Sequence, residues 1–77
     1  MEDKPFDEPV DIGGDAPCSV ASVGHAQRLL MDAAWPERGP RHADAVAACL
    51  KVADGHRSVA DARAAFEEAA REACILA

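Results

Sequence analysis

The stretch Trp35-Pro36-Glu37-Arg38-Gly39-Pro40-Arg41-His42 lies between two runs of sequence that have the apolar spacing of helices. Proline lacks a backbone N–H, so Pro36 is expected to end one helix, and Pro40 suits the first turn of the next. The stretch also holds the one tryptophan of the chain. It therefore predicts two helices joined by a short connection, with a large aromatic side chain at the joint.

Length and cysteine content limit the class of protein. A chain of 77 residues is long enough for one domain, over residues 1–77. Its three cysteines are odd in number and widely spaced, which is not the pattern of a disulfide framework and favours a reducing compartment. No run is apolar enough to cross a membrane, and the N-terminus has no signal-peptide pattern. We therefore expect a soluble cytoplasmic protein.

The net charge of −6 is concentrated at the front of the chain. Residues 1–15 hold six acidic residues and one lysine, whereas the remainder is nearly neutral. An acidic surface repels phosphate, which disfavours attachment to nucleic acid or anionic lipid. Residues 1–5 are expected to fray.

A small hairpin is predicted ahead of the helices. Val10 and Ile12 alternate with a polar residue, a turn signal follows at 13–15, and Cys18 and Val20 alternate again. Pro9 and Pro17 restrict these strands to edge positions.

Three helices follow from caps and spacing. The first is expected to run from the N-cap Ser22 through Trp35, and the second from Pro40 to about Ala53 with Gly55 as its left-handed cap. The third begins at Ser58, and a Glu67–Arg71 ion pair is expected on its exposed side. The predicted inward stripes are Val23, Ala26, Leu29, Leu30, Ala33 and Ala34; Ala43, Val46, Ala47, Leu50 and Ala53 with Cys49 alongside; and Val59, Ala62, Phe66, Ala69 and Ala73.

These elements predict an α+β fold in which an N-terminal two-stranded antiparallel β-hairpin packs against three short α-helices. The large side chains expected in its core are Phe6, Val20, Leu29, Leu30, Trp35, Val46, Leu50, Phe66, Ile75 and Leu76.

With its elements in this order, the chain resembles the small bacterial family named domain of unknown function 982. The resemblance covers Phe6 to Leu76 and rests on Trp35-Pro36, on Arg38-Gly39-Pro40 and on Ala62-Arg63-Ala64-Ala65-Phe66 with the alanines that follow. It implies the same α+β fold and supplies neither a biochemical function nor catalytic residues. Cys74 stands where the resemblance leads us to expect glycine, which puts the helix-ending role of that position in question.

The sharpest candidate site is the start of the second helix. Arg38, Arg41 and His42 surround a helix N-terminus, where backbone N–H groups and the dipole favour a phosphate or carboxylate. The alternative is that this segment only turns the chain. Trp35 and Leu29 are candidate contacts for a protein partner, although a lone tryptophan at a helix end is more often a core residue.

Other kinds of site have weaker signals. A helix-turn-helix around Gly55 would present an acidic third helix to DNA, and its carboxylates would repel the phosphates. DNA binding is therefore disfavoured. The cysteines and histidines lack metal-ligand spacing, and His42 lies two helical turns from Cys49, too far for a catalytic pair. The last four residues match a prenylation box, but the favoured interpretation is an apolar tail that packs under the hairpin or against the first helix.

The sequence therefore favours a non-enzymatic module of the bacterial cytoplasm that binds a protein partner or forms a homodimer. The alternative is a small domain that binds an anion or phosphate ligand through Arg38, Arg41 and His42. Neither interpretation requires a cofactor, a metal, a membrane or nucleic acid.

Overall fold

A hairpin followed by three helices makes up the fold, as the sequence predicts. The computed structural model describes residues 4–13, 18–33, 35 and 38–76. Along the chain the elements are β1 (Pro5–Ile12), β2 (Cys18–Ser22), α1 (Val23–Met31), α2 (Pro40–Ala53) and α3 (Val59–Glu72). The helix α2 packs against α1 and α3, and β1 lies against α3.

The two strands pair antiparallel, with Val10 opposite Val20 and Ile12 opposite Cys18. Their inward side chains alternate with exposed ones, which is why a period of two residues is visible in the sequence. The register shifts between Pro5 and Val10, in the part of β1 that contains Pro9. Pro17 and most of the predicted turn lie outside the described residues. Of the residues expected to fray, 1–3 also lie outside the described residues, whereas Pro5 pairs with Ser22.

The C-terminal segment forms an isolated bridge with the end of β1. Leu76 forms an antiparallel bridge with Ile12, and the Gly13 N–H donates to the Ile75 carbonyl over 2.5 Å. The apolar tail, expected to pack under the hairpin or against α1, therefore lies beside β1.

The first helix ends earlier than predicted. Ser22 caps it by accepting a hydrogen bond from the His25 N–H at 3.2 Å, as expected. However, the helix stops at Met31, and the prediction that it runs through Trp35 is wrong. Asp32 is extended and its carbonyl accepts from the Trp35 N–H, which redirects the chain before the tryptophan. Ala33 is consequently exposed, and Ala34 and Pro36 lie outside the described residues.

The second helix has the predicted bounds but the opposite orientation about its axis. Its buried side chains are Ala45, Ala48, Cys49 and Val52. In the predicted inward stripe, Leu50 is 49% exposed, Ala43 and Ala53 are exposed, and Val46 and Ala47 are half-buried. The prediction fails because α2 has two apolar stripes, and the one with the larger side chains faces outward.

Gly55 ends α2 as predicted, with a φ of 81°. The His56 N–H donates to the Lys51 carbonyl and the Gly55 N–H to the Val52 carbonyl, at 2.8 and 3.0 Å. These two bonds form a Schellman motif, which satisfies carbonyls at the end of the helix.

The third helix begins at the predicted cap, where the Ser58 hydroxyl accepts from the Asp61 N–H at 3.1 Å. The prediction of an ion pair between Glu67 and Arg71 is wrong. Glu67 pairs with Arg63 one turn earlier, and the Arg71 Nη1 lies 3.3 Å from the Glu68 Oε1. Apart from the half-buried Val59, the predicted inward stripe is buried, and it is extended by Ala65 and Ala70.

The core is built from a few large side chains among many alanines. The largest fully buried residues are Phe66, Leu30, Val20 and Cys49. Phe6 and Trp35 are buried as predicted, whereas Leu29, Val46, Ile75 and Leu76 are half-buried at its margin.

Candidate functional site

The basic residues predicted to bind an anion lie where the end of α1 meets the start of α2. Arg38 and Arg41 are exposed and His42 is half-buried. The helix α2 begins with Gly39 as its N-cap and Pro40 in its first turn, so Arg41 and His42 belong to that turn as well. The segment thus brings the three residues to one junction.

Two of the three basic side chains interact with the end of α1. The His42 Nε2 lies 2.6 Å from the Leu30 carbonyl, and the Arg38 Nη2 donates to the Asp32 carbonyl at 2.5 Å. The last carbonyls of a helix have no partner within the helix, and they carry its negative dipole end. Arg38 and His42 therefore cap α1.

The start of α2 already has a carboxylate against it. Glu72, the last residue of α3, accepts a hydrogen bond from the Arg41 backbone N–H through Oε2 at 3.3 Å. A Cβ atom at Gly39 would lie 2.7 Å from that carboxyl group, so glycine is what permits the approach. The chain thus supplies its own anion at the helix N-terminus where the sequence suggested a ligand.

Trp35 is the core residue of this junction. Only 6% of its surface is exposed, and its ring lies 5.7 Å from Phe66 and 6.1 Å from His42, measured between centroids. Its Nε1 and the Glu72 Oε1 are buried without a hydrogen-bond partner among the described residues. Trp35 therefore stabilises the fold, and Leu29, the other predicted partner contact, is half-buried beside the core.

A surface that the sequence pattern predicts to be buried lies on the side of α2 that faces away from the core. We call it the outer face of α2, formed by Ala43, Val46, Ala47, Leu50 and Ala53. These residues have the i, i+3, i+4, i+7 spacing of a buried stripe, yet three of the five are exposed. The signal was present in the sequence as a second apolar stripe, Ala45, Ala48, Cys49 and Val52, on the same helix.

Two observations bear on the chemistry of the described side chains, one on the buried thiol of Cys49 and one on possible metal ligands. Burial raises the pKa of the Cys49 thiol to about 11, which keeps it protonated at neutral pH. Across 4–13, 18–33, 35 and 38–76, no three histidine, cysteine or acidic side chains cluster in a way that could hold a metal ion.

A shallow cleft lies between β1 and α3, lined by Asp7, Glu8, Val59, Ala60 and Arg63. Its arginine donates from Nε to the Glu8 carbonyl at 2.8 Å and pairs with Glu67. The one basic side chain of the cleft therefore holds strand and helix together.

None of the helices in the described part of the chain is both long and apolar enough to span a bilayer.

Comparison with known proteins identifies a family. The sequence model of a family described as "Protein of unknown function (DUF982)" matches residues 8–77, which is nearly the whole chain. No curated protein and no solved structure matches the chain significantly.

Proposed function

Because the chain belongs to the DUF982 family, whose description assigns no function, we propose a function from the surface of the fold. The domain is a non-enzymatic module that associates with a second copy of itself through the outer face of α2. The observation that carries this proposal is the exposed apolar stripe centred on Leu50.

The stripe is unusual for a helix at the surface of a small domain. A surface helix normally has one apolar stripe toward the core and polar residues on the other side. Here Leu50 is 49% exposed between small apolar neighbours, with Val46 one turn before it. Contiguous exposed apolar surface of this kind is typical of interaction sites.

Size sets the expected strength of association. The helix has 14 residues, so the face is roughly 21 Å long and one helix wide. Interfaces below about 1,200 Å² are typical of weak or transient contacts, and we expect a dissociation constant of roughly 10 µM to 1 mM.

The anion-binding alternative has less support. Glu72 already contacts the Arg41 N–H, and Arg38 and His42 interact with carbonyls of the chain itself. A ligand would have to displace the carboxylate and compete with these contacts.

We place the module in a bacterial cytoplasm. Cys18, Cys49 and Cys74 are all free thiols, as expected in a reducing compartment. The raised pKa of Cys49 argues against a nucleophilic role for the most buried of them.

The test replaces one exposed apolar residue at a time with glutamate. Leu50→Glu places a charge in the proposed interface, so the dimer should weaken at least about tenfold. Met31→Glu is the matched control, because Met31 is 65% exposed and lies on α1, outside the outer face of α2. Sedimentation equilibrium from about 10 µM to about 1 mM measures both, and circular dichroism checks that each variant folds.

A wild-type protein that stays monomeric over this range would refute the proposal. Equal weakening by the two variants would show that association does not use the outer face of α2.

A further inference from the structure

The charges of α2 form an alternating series along the helix. Arg41, Asp44, Lys51 and the C-cap Asp54 are all exposed and carry positive, negative, positive and negative charge in that order. When a second copy of the helix is reversed about a point between Ala47 and Ala48, each charge of one copy lies level with an opposite charge of the other. Reversal brings Asp44 to the level of Lys51, and Arg41 to the level of Asp54.

Asp44 and Lys51 are placed to pair between two copies of the chain. They lie on the same edge of the outer face of α2, two turns and roughly 10 Å apart, which is too far for an ion pair within the helix. Neither belongs to an ion pair among the residues that the structure describes. When two helices pack antiparallel about a two-fold axis, the same edge of each meets the other.

The apolar side chains of the face fit the same alignment. With Asp44 level with the partner's Lys51, Leu50 lies level with the midpoint between the partner's Ala43 and Ala47. Two alanines one turn apart leave a hole on a helix surface, and a leucine fills such a hole. A parallel alignment would instead set like charges at the same level.

We propose that two copies of this chain associate with their α2 helices antiparallel about a two-fold axis near Ala47 and Ala48. Asp44 of each copy pairs with the partner's Lys51, and Leu50 packs between the partner's two alanines. This inference rests on the proposed self-association and adds its orientation and register.

The test exchanges the charges. Asp44→Lys leaves two lysines facing each other at both symmetric positions, and Lys51→Glu leaves two acids there. Each single variant is therefore expected to weaken the homodimer roughly tenfold. Mixing the two variants in equal amounts makes both pairs complementary again, so the heterodimer should associate within about threefold of the wild type.

Asp11→Lys is the control for net charge. It changes the charge by the same amount as Asp44→Lys but on an exposed position of β1, and it should leave the dissociation constant within about twofold. Sedimentation equilibrium measures association, and thermal unfolding confirms that each variant is folded.

The outcomes separate the two proposals. If Leu50→Glu abolishes association but mixing the charge variants does not restore it, the orientation is wrong and the outer face of α2 remains the interface. If the wild type does not associate, both proposals fail.

Discussion

At Cys74 the backbone has a φ of 61°, in the left-handed region that a side chain disfavours. The residue nevertheless ends α3 as glycine ends α2. The Cys74 N–H donates to the Arg71 carbonyl at 3.0 Å and the Ile75 N–H to the Ala70 carbonyl at 2.9 Å. A cysteine at this position therefore still ends the helix, but its Cβ adds conformational strain there.

Cys74→Gly is expected to relieve this strain. The left-handed conformation destabilises the folded state by about 1 kcal/mol when the residue has a Cβ, and glycine removes this strain. Glycine also has greater conformational entropy in the unfolded state, which offsets part of the gain. We expect a net gain of about 0.5 to 1 kcal/mol in the free energy of unfolding, measured by urea denaturation. Cys74→Ala retains the Cβ and serves as the control. An equal gain from alanine would attribute the effect to loss of the thiol instead.

At the scale of single elements, the junction of α1 and α2 shows how one side chain completes another helix. His42 belongs to α2, but its ring lies 2.6 Å from the Leu30 carbonyl of α1 and packs beside Trp35. It therefore stabilises the end of a helix that lies 12 residues earlier in the chain.

His42→Ala should destabilise the domain by about 1 to 2 kcal/mol, because it removes this hydrogen bond and the contact with Trp35. Arg38→Ala is the comparison, since Arg38 also donates to a carbonyl at the end of α1 but from an exposed position. Its loss should cost less than about 0.5 kcal/mol. Chemical denaturation measures both, and equal costs would show that the histidine contact is not stabilising.

The elements that the sequence predicts well are those with local signals. Ser22 and Ser58 mark helix starts through their own backbone contacts, Pro40 fits a first turn, and Gly55 fits a left-handed cap. These signals depend on neighbouring residues only.

The missed features depend on residues far apart in the chain. Arg41 is 31 positions from Glu72, so nothing near Arg41 indicates that a carboxylate will contact its N–H. In the same way, α2 contains two apolar stripes, and only α1 and α3 determine which one is buried. The candidate anion site could be located from the sequence, but its occupation by Glu72 could not.

For the whole molecule, the buried thiol of Cys49 links stability to alkaline pH. Burial raises its pKa from 9.0 to about 11, so the folded state disfavours the thiolate that the unfolded chain forms more readily. The contribution of the protonated thiol to the free energy of unfolding is fully present below about pH 9. It is lost as pH rises toward about 11, which lowers the free energy of unfolding by at most about 3 kcal/mol.

Cys49→Ala should flatten this dependence. We expect the free energy of unfolding of the wild type to fall more steeply between about pH 8.5 and 10.5 than that of the variant, as measured by denaturation at each pH. Cys18→Ala, at a half-buried position, is the control for thiol loss. Parallel curves for the wild type and Cys49→Ala would contradict the assignment.

The bridge between Ile12 and Leu76 has a kinetic consequence. It joins residues that are nearly the whole chain apart, as does the Arg63 contact with the Glu8 carbonyl across 55 positions. Closing such long loops costs entropy before their contacts stabilise the chain. High contact order slows folding, so this domain should reach its native state more slowly than a three-helix bundle of equal length.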